Sequence, residues 1–289
     1  VATLSSQAHL SAASRPAVVI RATTGWGLFD LRELWGYWEL LYFLLVRDIK
    51  VRYNQTVIGV VWAVLQPLAM MATFTLLFGR LAKIPSDGLP YPLFAYGGLL
   101  AWQLFSRTLT ESTNSLLVNQ RLITRVYFPR ILVPISTTLA ALVDFGISLL
   151  LFFALMLIYG VTPGWTVLWI PAFLALLLMT SLGVGFWLSS LSIEFRDVAH
   201  IMPFISQMWL FVTPVVYPSS LVPPAWRVLY GLNPMAGVVE GFRWSLLGGG
   251  VGPSLMLGVS SLVAAAVFIS GIAWFRRRER WFVDAIGSR

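Results

Sequence analysis

Between positions 166 and 193 the chain carries no charged side chain, and similar uncharged runs cover 57–78, 201–217 and 253–275. An α-helix rises about 1.5 Å per residue, so roughly 20 apolar residues cross the ~30 Å hydrocarbon core of a bilayer. Such a segment satisfies its own backbone hydrogen bonds when helical, which lipid demands of it. Two further runs qualify. Residues 91–110 carry Arg107 near one end, and residues 131–159 are long enough to tilt and hold Asp144. The expected fold is therefore all-α and integral to a membrane, with six transmembrane helices. Only 11% of the residues are charged, against about 25% in soluble domains, and the mean hydropathy is +0.79.

Arginine and lysine set the orientation. With the N-terminus inside, fifteen basic residues fall in cytoplasmic segments and four (Arg80, Lys83, Arg227 and Arg243) outside, with Arg107 assigned to neither. Both termini are expected in the cytoplasm. The net charge of +8 does not point to nucleic acid, because the bases lie between spans and at the ends instead of forming one patch. Residues 28–46 are rich in Leu, Trp, Tyr and Phe but are interrupted by Asp30, Arg32, Glu33 and Glu39, as in a helix lying in the membrane interface. Residues 219–247 are broken by Pro223, Pro224, Asn233 and Pro234 and hold Glu240 and Arg243, costly at the bilayer centre. They fit two short helices that dip into the outer leaflet and return. The expected layout is a flexible cytoplasmic tail at 1–27, an interface helix and connector at 28–56, the transmembrane domain at 57–275 and a basic cytoplasmic tail at 276–289.

Catalytic chemistry finds little support. A phosphate-binding loop needs GxxxxGK[ST], and neither Lys50 nor Lys83 follows a glycine. The two histidines, His9 and His200, have no carboxylate at ligand spacing, and there is no cysteine. No cofactor or metal is expected on this chain. A glycosyltransferase would gather acidic groups at one membrane face, where Glu194 and Asp197 form the only close pair. Asp144 is the one acidic group deep within an expected span. It either takes a proton, as a secondary carrier requires, or is paired with a base or hydroxyl. Arg107 and Glu111, four apart, are expected to pair along their helix.

Three connectors hold more information. RDIKVRYNQT at 47–56 directly precedes the first span, NQRLITRVYFPR at 119–130 joins the second and third, and SIEFRDVAH at 192–200 joins the fourth and fifth. The stretch RDIKVRYNQTVIGVVWAVLQPL at 47–68 resembles the opening of the membrane subunits of type-2 ABC exporters of polysaccharides and teichoic acids. FPR at 128–130, EFRDV at 194–198 and NP at 233–234 fall where that family has similar residues. The resemblance covers about residues 28 to 280 and implies the ABC-2 exporter fold. It also implies a homodimer of this subunit, with two copies of a separate ATPase that binds ATP and Mg, in the bacterial inner membrane. Short cytoplasmic helices would dock on the ATPase. By position these hold Gln120, Leu122, Arg125, Tyr127 and Phe128, then Glu194, Arg196 and Asp197, with Arg47, Asp48 and Arg52 close by.

In that family the path runs along the dimer axis, lined mainly by the first and fifth spans. On the first, Gly59, Trp62, Gln66, Ala69 and Thr73 share one helical face; on the fifth, Ser206, Leu210, Thr213 and Tyr217 do so. Such a stripe either packs on another helix or faces a wet path in which indoles and amides meet sugars. Of these, Trp62, Gln66, Thr73, Ser206, Thr213 and Tyr217 are the candidate path residues. The expected function is a permease subunit that exports a lipid-linked, O-antigen-like polysaccharide, among membrane lipids. The alternatives are an exporter of drugs or small lipids and a proton-coupled carrier acting through Asp144.

Overall fold

The computed structural model describes residues 35–53, 57–249, 252 and 254–282, and the side chains of these except 57–60 and 280. The expected tail at 1–27, the first part of the interface helix, Asn54–Thr56 and the last part of the basic tail lie outside the described residues. The described chain is helical, without a strand. Its helices are α1 (Trp38–Tyr53), α2 (Val57–Phe74), α3 (Tyr91–Val118), α4 (Gln120–Arg125), α5 (Leu132–Ile158), α6 (Ile170–Glu194), α7 (Asp197–Val212), α8 (Pro224–Tyr230), α9 (Pro234–Leu247) and α10 (Leu255–Arg278).

Among the described residues, four helical stretches are long and apolar enough to cross a membrane: Val61–Leu81, Leu132–Ile158, Trp165–Glu194 and Leu255–Arg278. They coincide with the first, third, fourth and sixth of the expected spans. The expected second span lies in α3, whose 28 residues reach about 42 Å at 1.5 Å each. Its polar content is tolerated because other helices surround it. Leu93 to Ala101 is buried without a break, and Thr108, Ser112, Thr113 and Ser115 are buried further along. Thr108 and Thr113 donate back to Leu104 O (2.8 Å) and Leu109 O (2.7 Å) on their own helix, so those hydroxyls need no water. The expected fifth span, 201–217, is helical over Asp197–Val212. Asp197 opens it, where a helix N-terminus favours negative charge. Thr213 is extended (ψ 143°), as residues before a proline prefer to be, here Pro214.

Around α3 are packed α5, α6, α9, α2 and α7, while α10 lies along α6 and α1 along α5. On α1, Leu44 is fully buried whereas Trp38, Tyr42 and Phe43 are exposed, the arrangement of a helix with one face on protein and aromatic rings outward. Residues 219–247 form two helices, as expected. Asn233 caps α9 by accepting from Met235 N (3.1 Å), with Pro234 in the first turn, which gives NP at 233–234 its structural meaning. Gly248 ends α9 at φ 66°, a left-handed conformation that favours glycine.

The backbones of α6 and α10 come into close contact where they cross. A Cβ on Gly183 would lie 2.7 Å from the backbone of Phe268, and Gly271 faces the Gly183 carbonyl. This is the close approach that small residues permit between helices in lipid. Replacing Gly183 by Ala forces the two backbones apart and is expected to cost about 1–3 kcal/mol, read as a lower midpoint of thermal unfolding in detergent. Gly258→Ala, on α10 where nothing lies within 4 Å, is the control. Its midpoint stays level or rises, since alanine is the better helix former.

Candidate functional site

The last turn of α1 ends against the middle of the bundle. Arg52 places its guanidinium between two carboxylates, Glu111 on α3 at 2.6 Å and Asp144 on α5. Arg107, one turn before Glu111, binds it at 2.9 Å and reaches Asp144 at 3.1 Å. The Tyr53 hydroxyl donates to the other oxygen of Asp144. Two positive and two negative groups from three helices therefore neutralise one another in one cluster. Burial, then the hydrogen bond to Asp144, pushes the Tyr53 phenol up to about 12, so it stays a donor. Burial alone would lower Arg52, but Glu111 and Asp144 outweigh it and its affinity for the proton is raised. Local pairing of Arg107 with Glu111 is as expected. Asp144 is paired and not solitary. Its first partner is 92 residues away in the chain, a distance at which sequence spacing has no signal.

The cluster closes one end of a cleft of about 570 Å³ between α2, α3, α5 and α7. Trp62 and Gln66 from α2, Trp102 and Gln103 from α3, and Gln207 from α7 are among the residues lining it. The buried amide nitrogen of Gln103 has no hydrogen-bond partner among the described residues. Indole faces with free amides can receive a guest that is apolar on one side and hydroxylated on the other. Of the other candidate path residues, Thr73 is exposed on α2. Ser206 is buried with its hydroxyl 2.5 Å from that of Ser106, and Thr213 accepts from Asn233 Nδ2 at 3.0 Å. The Tyr217 hydroxyl lies 2.8 Å from that of Tyr230. The structure thus brings Trp62 and Gln66 to the cleft and puts Ser206 and Thr213 into contacts between helices.

A second buried charge pair lies on α9. Arg243 and Glu240 are 1% and 4% exposed and 3.2 Å apart. Arg243 also donates to Pro214 O (2.8 Å) and Val215 O (2.9 Å) and sits 3.7 Å over the Phe94 ring, while Glu240 accepts from Ser219 N (2.9 Å). The pair binds the backbone of the turn that follows α7. A Cβ on Gly98 would come within 2.6 Å of the Arg243 guanidinium, so glycine there makes the room. Their spacing of three along a helix is the one sequence signal that pairs them.

Of the ATPase-coupling candidates, Arg125 and Tyr127 are exposed, as are Glu194, Arg196 and Asp197 at the α6–α7 turn. Gln120 and Leu122 are half-buried, and Phe128 is buried. Arg47 pairs with Asp48 at 2.7 Å and Asp48 also accepts from Ser136 at 3.3 Å, while Arg52 faces the inner cluster. Phe128 and Arg52 thus point into the protein, and the others leave surface at one end of the bundle.

Residues 39–247 match the ABC-2 type transporter family. The chain belongs to that family. It is 32% identical over 217 residues to the O-antigen export system permease protein RfbA of Myxococcus xanthus, covering 74% of this chain and 82% of that protein. Against the protein of the same name from Klebsiella pneumoniae the identity is 26% over 87% of this chain and 96% of the relative. Against the polysialic acid transport protein KpsM of Escherichia coli it is 24% over 82% and 92%. With four helices fit to cross a membrane, this ABC-2 chain is a multi-pass membrane protein.

Asp144 is not free: two guanidinium groups and a phenol hydroxyl contact its carboxyl group. Asp144→Asn and Arg52→Gln are each expected to lower thermal stability. Together they cost less than their sum, with a coupling of about 1–3 kcal/mol. The cycle is measured by unfolding in detergent. Unchanged stability of Asp144→Asn, with transport abolished, would instead mark Asp144 as a proton carrier.

Proposed function

We propose that this chain is the permease subunit of an ATP-driven exporter that carries a lipid-linked, O-antigen-like polysaccharide across the bacterial inner membrane. The observation that carries the reading is similarity along most of both chains to relatives named for O-antigen export and polysialic acid transport. The cleft supports it chemically, since its indole and amide lining suits a hydroxylated, partly apolar guest. A pump for small apolar drugs has less use for three glutamine amides there.

In this reading the permease works as a homodimer with two ATPase subunits, which hold ATP and Mg. Six helices cross the bilayer, α3 and α7 joining the four apolar ones, with both termini in the cytoplasm. What supports α3 as a span is its length and its enclosure by other helices, which frees it from the need for an apolar surface. Helices α8 and α9 enter the outer leaflet and return. Their buried charges are tolerable at that depth because each has partners within the protein. The exposed residues of 120–127 and 194–197 meet the ATPase. Its closure on ATP shifts the permease only by as much as the closed state binds ATP better than the open one does.

Depleting the protein in its native cell tests the reading. Loss of surface polysaccharide with lipid-linked polymer accumulating on the cytoplasmic leaflet is the expected result. Unchanged surface polymer would remove the polysaccharide assignment and leave export of drugs or small lipids by the same architecture.

A further inference from the structure

The end of α10 lies beyond the residues matched to the ABC-2 family, which stop at 247, yet it joins the two segments read above as ATPase-docking elements. Arg278 pairs with Glu194, the last residue of α6, directly before the exposed Phe195 and Arg196. The next residue, Glu279, takes the other side. Its carboxylate accepts from Arg130 N (2.7 Å) and from Arg276 (3.2 Å), and its carbonyl oxygen accepts from the Arg130 guanidinium. Arg130 stands two residues after Phe128, where the 120–128 segment ends.

Beneath these polar contacts lies an apolar cluster with contributions from the same elements. Phe275 of α10 is fully buried, and Phe282, just past the helix, returns to pack on it with ring centres 5.3 Å apart. Phe186 of α6 lies 5.5 Å from Phe275. Ile123 of α4, Phe128 and Ile193 belong to the same cluster. One helix end therefore meets Glu194 and Arg130, just past the 120–128 segment, through charge, and both docking segments through apolar packing. The cation face of Arg278 also covers the Trp274 ring at 4.7 Å, which holds the guanidinium toward α6.

We infer that the end of α10, through Arg278 and Glu279, is a positioning element that fixes the 120–128 and 193–198 segments to one another, so that an ATPase docked on both moves them as one body. The inference rests on the reading of those segments as the docking elements. A surface ion pair adds little to stability, so the pair can be reversed with the fold kept. What it supplies is a fixed distance between two points of attachment. If that distance is free to change, part of the ATPase stroke is spent moving one segment against the other.

The test uses charge reversal in the cell that makes the polymer, with Arg278→Glu and Glu194→Arg made singly and together. Export is taken as surface polysaccharide per permease recovered in the membrane. Each single reversal is expected to lower it by about threefold or more, the order of an exposed pair turned from attractive to repulsive. ATP hydrolysis by the purified permease–ATPase complex stays near the wild-type rate in Arg278→Glu, which is not itself read as an ATPase contact. The double exchange restores export. Wild-type export in both single variants would overturn the inference, and so would a double variant no better than the singles. A loss confined to the amount of permease in the membrane would make the pair structural and would overturn it too. Deleting the whole chain separates the two readings. If deletion leaves surface polymer unchanged, the export function and the positioning role fall together. If deletion abolishes it while single reversals do not, only the positioning role falls.

Discussion

A carboxylate in the middle of a membrane helix has to find positive charge within the protein, because neither lipid nor bulk water can stabilise it there. Asp144 and Glu111 meet this requirement with Arg52 and Arg107, and the sum of charge in the cluster is zero. Much of the architecture follows. Arg107 and Glu111 fix the register of α3 against α5. Arg52 and Tyr53 are the last residues of α1, so α1 has to run along α5 until its end reaches Asp144. The chain enters α2 after only Asn54–Thr56, and the start of α2 is thereby tied to the cluster. Beyond that point α2 packs little on the other described residues: 11% of its apolar stretch is buried, against 28–33% for the other three apolar helices. A helix with this little packing is positioned mainly by its ends, and this one forms a wall of the cleft.

The same rule operates at the far end of the bundle with the roles exchanged. Pro214 stops α7 and leaves carbonyl groups without helical partners inside the protein. Arg243 donates to Pro214 O and Val215 O, and Glu240, which neutralises it, accepts the amide of Ser219. Asn233 adds a third connection, accepting from Trp209 on α7 (3.1 Å) while donating to Thr213 (3.0 Å). Residues that read as a cost at the bilayer centre in the sequence are here what makes a broken backbone tolerable. Breaking one partner from such a pair leaves a buried charge, costing about 3–5 kcal/mol.

How far the fold could be read in advance depended on whether the deciding interaction was local. Apolar runs are local, and 131–159 and 253–275 came within a few residues of Leu132–Ile158 and Leu255–Arg278. The Arg107–Glu111 pair is local at i,i+4, and so was legible. The last eight residues of α3, Glu111 to Val118, extend past the expected span, because their tolerance for Ser, Thr and Asn comes from the helices around them. The entry of α7 at Asp197 was missed because a charge in a helix's first turn reads as loop to a hydropathy argument. Family membership was legible in 47–68. At the candidate site, Trp62 and Gln66 were separable from Ser206 and Thr213 only once their neighbours were known, since a stripe of small and polar residues looks the same whether it packs or lines a path. The contacts of Arg52 with Asp144 and of Arg278 with Glu194 span 92 and 84 residues, beyond any periodicity.

The two apolar cores clarify what can move. The larger is built around α3 from Leu93 to Leu109, and the smaller gathers Leu116, Ile123, Phe186, Phe275 and Phe282 at the end of the bundle that carries α4 and the α6–α7 turn. The charged cluster lies at the level between them, where Arg107 and Glu111 on α3 face Asp144 on α5. Apolar surfaces alone tolerate sliding, since one greasy side chain substitutes for the next. A polar layer does not. Shifting α5 by one turn, about 5.4 Å, would withdraw Asp144 from its cations and leave both parts unsatisfied in a medium that penalises each. The charged cluster therefore sets the register of α1, α3 and α5 against one another. What packs least is α2, which joins the larger core only near its end, through Phe74, Met70 and Met71, and borders the cleft.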